Sequence, residues 1–113
     1  MHQYPITIDV LETIIRYGRR PNRPDLVNLY IVNIETIIGH TSEQAERFSF
    51  AIRPAQLIYS AIADESISMS WRSVCADHIH LCIRLLKVNS ELSHQLTQFK
   101  IFQYQFAALQ SNA

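Results

Sequence analysis

A chain of 113 residues with 48% apolar side chains can bury one core and is too apolar for a disordered segment. Its formal net charge is +0, which excludes bulk electrostatic attraction to nucleic acid or anionic lipid. With only 2 Gly and 4 Pro, turns are too few for a sandwich or barrel. The expected class is therefore all-α: one domain over residues 1–113, a bundle of four to six helices ending in a long C-terminal amphipathic helix or helical hairpin.

Residues Met1 to Val10 carry neither a basic leader nor a long apolar run, so no secretory signal is visible. No segment approaches the roughly 18 apolar residues of a membrane span. Two cysteines do not make a disulfide framework, so a reducing cytoplasmic setting is expected. A first helix is predicted from Ile6 to Tyr17, with Ile6, Val10, Ile14 and Tyr17 on one face and Gly18 at its C-terminus. The β-branched Ile6, Thr7, Ile8 and Val10 leave a strand open for its first half. Arg19 to Pro24 reads as an extended linker, since two prolines stop a helix.

Asp25 is placed to cap a second helix, Leu26 to Ile38, closed by Gly39. This helix is apolar almost all round, which implies burial on both sides; a core strand from Leu26 to Ile34 is the rival. Thr41 and Gln44 have capping-box spacing for a third helix, from Ser42 to about Ile52. Pro54 is expected to open a separate short helix to about Ala63, and the alternation of Phe48, Phe50 and Ile52 allows a short strand. Asp64 to Ser68 is a polar break, with Ser66 or Ser68 capping the long helix after it.

From there the chain keeps 4-3 spacing over about five heptads: Trp71, Cys75, His78, Cys82, Leu85, Asn89, Leu92, Leu96, Phe99, Gln103, Phe106. The unbroken register favours one long helix, although Asn89-Ser90 offers a break. Ser73, Asp77, His80, Arg84 and Lys87 fall in one polar arc, which makes His80 a surface residue. His78 falls among apolar residues, between Cys75 and Cys82. The leading reading is a core or interface histidine bonded to a carbonyl or hydroxyl. A metal half-site and a redox- or pH-sensitive interface are the sharper ones. Seven residues of helix separate the two cysteine Cα atoms by about 10.5 Å, beyond the roughly 7 Å a disulfide tolerates. No metal and no cofactor are expected. Asn89 at an a position would suit a paired helix. The apolar g positions Leu81, Val88, Phe102 and Leu109 widen the stripe into a bundle face. The seam residues Trp71, Cys75, His78, Cys82, Leu85, Asn89, Leu92, Leu96, Phe99 and Phe106 are accordingly the candidate dimer or partner interface. The four aromatics from Phe99 to Phe106 spread around the helix, with ordinary core packing the leading reading and an exposed partner surface the sharper one.

Arg16, Arg19, Arg20 and Arg23 form the one charge cluster, read first as a solvated interhelical turn and otherwise as a candidate contact for phosphate, nucleic acid or an acidic protein surface. No Gly-rich phosphate loop, nucleophile elbow or zinc motif occurs. Arg72 and His78 bound the segment Arg-Ser-Val-Cys-Ala-Asp-His, which resembles the Arg-x(4–6)-His pattern of the HEPN family over seven residues, with Ser73 as the polar residue after the arginine. That resemblance implies a small helical dimer with RNase activity carried by Arg72 and His78. The expected function is protein–protein interaction: an adaptor, regulatory or assembly factor acting as a homodimer, with itself and an unidentified protein as partners. A nucleic-acid-associated regulator and a HEPN-like RNase are the alternatives.

Overall fold

The computed structural model describes residues 7–111, so Ile6 and the segment before it lie outside the described residues. Five α-helices and no strand occur among the described residues: α1 Ile8–Tyr17, α2 Asp25–Gly39, α3 Gln44–Ala63, α4 Met69–Val88 and α5 Ser93–Ser111. The strand alternatives at residues 26–34 and 48–52 are both helix.

Helix α1 starts where the Thr7 hydroxyl accepts the Val10 N–H and ends where Gly18 turns left-handed at φ 60, ψ 40. The Arg19 N–H then reaches back to the Ile14 carbonyl, the six-to-one bond of a glycine-terminated helix. Asp25 does not cap α2 as its position suggests. Pro24 occupies the cap in helical conformation, and the Asp25 carboxylate is gripped by Arg23 through two bonds of 2.9 and 2.8 Å. Nor is α2 enclosed on both sides: Leu26, Val27, Tyr30, Ile31, Ile34 and Ile38 are buried, but Leu29 and Val32 are exposed. The Thr41–Gln44 capping box is absent, because the Thr41 hydroxyl donates back to Ile37 and the Gln44 amide is used elsewhere.

The largest departure from expectation is α3, one helix running straight past Pro54. A proline inside a helix costs about 3 kcal/mol. Here its ring is fully buried, and Phe48, Ala51, Ala55, Ile58 and Ala61 pack on both sides of it. Burial of each large apolar side chain contributes about 1.5–3 kcal/mol, so continuous packing outweighs the lost backbone bond. The alanines let α4 lie close.

Helices α3 and α4 form an antiparallel pair at the centre. Arg72 near the start of α4 donates to Ile62 near the end of α3, and Gln44 at the start of α3 donates to Asn89 at the end of α4. Helices α1 and α2 cover α3 from one side, and α2 also touches α4; α5 packs on α3 and α4 alone. Two polar clusters fasten the layers. The buried Tyr30 hydroxyl donates to Glu12, whose carboxylate Arg53 also grips at 2.6 and 2.8 Å while reaching Asp9 at 3.0 Å. The Trp71 indole N–H donates to the Ile15 carbonyl at 2.8 Å, satisfying a buried donor with the loose end of α1.

Candidate interaction surface

The 4-3 register is not the buried face of α4. The residues turned into the core are Trp71, Cys75, Ile79, Cys82 and Leu86, so Ile79 and Leu86 replace His78 and Leu85. The reason is the pitch of an α-helix. At 3.6 residues per turn, a heptad pattern drifts about 20° each repeat, and the core face passes to the next residue. His78 is therefore half-buried at the edge, its Nδ1–H donating to the Val74 carbonyl at 2.8 Å. This hydrogen bond within one helix satisfies the imidazole without a partner.

Both cysteines are free thiols enclosed by the core of their own chain. Burial raises the Cys75 thiol to about 11; burial, with a further push from Cys75, raises Cys82 to about 12. Neither is thiolate near neutral pH, and neither is open to a metal from outside. No cluster of three or more metal-binding side chains occurs among the described residues.

The seam does not continue as one helix. At Asn89 the chain leaves α4 and turns before re-entering helix at Ser93. The Asn89 amide donates to Leu85 at 2.8 Å and the Ser90 hydroxyl to Leu86 at 2.6 Å, capping α4 from within. Asn89 is thus a C-terminal cap, not a polar layer awaiting a partner. Gln95, 1% exposed, closes the other side of the turn. Its Oε1 accepts the Glu91 and Leu92 N–H groups at 3.0 and 3.1 Å, and its amide donates to Gln44 Oε1. This is the glutamine half of a capping box, extended to a neighbouring helix.

The turn also resets the face of α5. Phe99 and Phe102 join the core with Gln95, Phe102 lying edge-on to Tyr59 at 5.9 Å, and Phe106 is half-buried. Among the proposed interface residues, Trp71, Cys75, Cys82, Asn89 and Phe99 are consumed inside the chain. Leu92 and Leu96 are 47% and 42% exposed, and Leu85 is half-buried. Val88, 68% exposed, adds a third exposed aliphatic side chain on the α4 side of the turn. Leu81, Leu85 and Val88 also form one wall of a groove of about 310 Å³ whose other wall is α2, with Ile31 between Asn28 and Glu35; Arg84 stands on the α4 rim. The α2 wall was not evident in the sequence. The one signal for it was the seven-residue spacing of Asn28 and Glu35, which sets both on one edge of α2.

The arginine cluster divides. Arg16 pairs with Asp64 at 2.8 Å and Arg23 with Asp25 at 2.8 Å. Arg19 has no acidic partner among the described residues and lies over the exposed Tyr17 ring at 5.5 Å; Arg20 has none either. Arg72 and His78 are not brought together. Six positions apart on one helix they project about 120° from each other. The Arg72 Nε–H is bound to Ile62 at 2.8 Å, and His78 does not line the groove that Arg72 faces. Among the described residues, no helix is long and apolar enough to cross a membrane.

No protein-family model matches the chain, and no curated protein or solved structure is significantly similar to it.

Proposed function

We propose that the chain is a protein–protein interaction module that pairs with a second copy of itself through the strip formed by Val88, Leu92 and Leu96 and the adjoining groove between α2 and α4. The observation that carries this reading is the strip itself. Three large aliphatic side chains, Val88, Leu92 and Leu96, stand 42–68% exposed on the two sides of a turn whose Asn89, Ser90 and Gln95 are buried and hydrogen-bonded. Apolar surface presented on such a frame is what a partner covers. The choice of a second copy rests on charge. A two-fold contact sets a surface against itself, and this groove carries Glu35 on its α2 wall and Arg84 on its α4 wall. Arg84 of each copy can then meet Glu35 of the other. The test is solution mass: wild type is expected to be a dimer, and Leu92→Glu with Leu96→Glu a folded monomer. A monomeric wild type at micromolar concentration removes the proposal.

The nucleic-acid reading retains Arg19, over the Tyr17 ring, and Arg20, which have no acidic partner among the described residues. Two exposed charges support weak, salt-sensitive contact and not a dedicated binding face.

A further inference from the structure

A second groove lies away from the α4–α5 turn. It is about 640 Å³, in the range of small-molecule sites, and is walled by the end of α3, the first half of α4 and the last turns of α5. Its walls are Ile62, Met69, Ala76, Phe106 and Leu109, with Met69 among the most exposed apolar side chains of the chain. One cation faces it, Arg72. The Arg72 guanidinium is already fixed, because its Nε–H donates to the Ile62 carbonyl at 2.8 Å. Its terminal N–H groups make no hydrogen bond or ion pair among the described residues. Glu65, the one acid on the groove, forms no ion pair with it.

We infer that this groove is a binding site for a small carboxylate-bearing amphiphile, with the carboxylate on the terminal N–H pair of Arg72 and an unbranched apolar chain along Met69, Ala76, Phe106 and Leu109. The chemistry selects that class. A planar guanidinium with one edge immobilised presents two parallel donors, which match a carboxylate. Beyond Arg72, Glu65 and Gln110, the wall offers apolar contact from Ile62, Ala63, Met69, Ala76, Phe106 and Leu109. A neutral lipid leaves the guanidinium unmatched, and a compact polar anion leaves the walls wet. Beyond Phe102, α5 meets the rest of the chain through half-buried Phe106 and Leu109, the two side chains it contributes to the apolar wall.

The inference is independent of self-association, since none of these residues belongs to the strip. It is tested by isothermal titration of the full chain with dodecanoate and with dodecanol, which share a tail and differ in the carboxylate. Wild type is expected to bind one dodecanoate per chain and dodecanol at least about tenfold more weakly, the worth of a charge-assisted hydrogen bond. Arg72→Lys keeps the charge but loses the fork, and is expected to weaken dodecanoate while leaving dodecanol unchanged. Ala76→Trp fills the groove from an exposed helix position and is expected to abolish both. Absence of dodecanoate binding, equal binding of acid and alcohol by wild type, or binding that survives Ala76→Trp overturns the inference. Should Arg72→Lys fail to fold, Ala76→Trp and the acid–alcohol comparison still decide it.

Discussion

Gly18 and Trp71 are in contact so close that a Cβ on Gly18 would stand 2.9 Å from the Trp71 Cδ1. The glycine lets the chain leave α1 left-handed, and the tryptophan, anchored by its N–H to Ile15, fills the space a side chain would need. Gly18→Ala is expected to lose roughly 2 kcal/mol, from the left-handed φ and the rigid ring together. That corresponds to about 6–10 °C in melting temperature for a domain of this size. Gly39→Ala is the control. It sits at negative φ in a helix with nothing within 4 Å of the added Cβ, and is expected to gain about 0.4–1 kcal/mol. Thermal unfolding of the two variants checks both signs.

Gln95→Ala removes the cap of α5 and leaves Gln44 without its partner. A loss of about 1–3 kcal/mol is expected for an unsatisfied buried group. Because α5 packs on α3 and α4 alone, hydrogen exchange should accelerate along residues 93–111 and much less in α1 to α4. Uniform acceleration across the chain would contradict this local role.

Cys75 and Cys82 are predicted to be inert in the native state. Both are buried, with thiols raised to about 11 and 12. A thiol reagent at neutral pH should label them only at the rate of opening, and denaturant should make both react at once. Oxidation without unfolding should form no bridge between them.

Asp64 is held down to about 2, first by the Arg16 guanidinium and then by the Ser66 hydroxyl and N–H. A carboxylate whose folded value is depressed contributes stability above its unfolded value near 4, and that contribution is lost as pH falls through about 2. Asp64→Asn should therefore be less stable than wild type at neutral pH, with the difference closing between about pH 4 and pH 2. A constant gap across that range would mean the pair does not carry the effect.

The reach of the sequence is clearest at particular positions. Gly18 as a helix terminator was legible, and the cap of α4 was narrowed to Ser66 or Ser68, because each acts through its own backbone neighbours; Ser68 is the one that caps. The separation of Cys75 from Cys82 was legible for the same reason. Pro54 was not, since local propensity argues for a stop and only the burial on both sides of it explains the continuous helix. The seam failed at two points. A heptad register fits a supercoiled pair, whereas the core face of α4 follows 3.6 residues per turn and passes to Ile79 and Leu86. The break at Asn89 depends on Gln44 and Gln95, which meet across 51 positions of sequence. Of the candidate interface, Leu92 and Leu96 are exposed because the turn resets the helix face, and no periodicity read through the turn could show that.

Self-association is tested most directly by light scattering of the full chain at micromolar concentration. The strip of Val88, Leu92 and Leu96 predicts a mass of about 26 kDa, twice the 13.1 kDa chain, falling to the monomer value in the Leu92→Glu, Leu96→Glu variant with its helix content unchanged. A wild-type mass of 13.1 kDa, or a dimer that persists in the double variant, would contradict it.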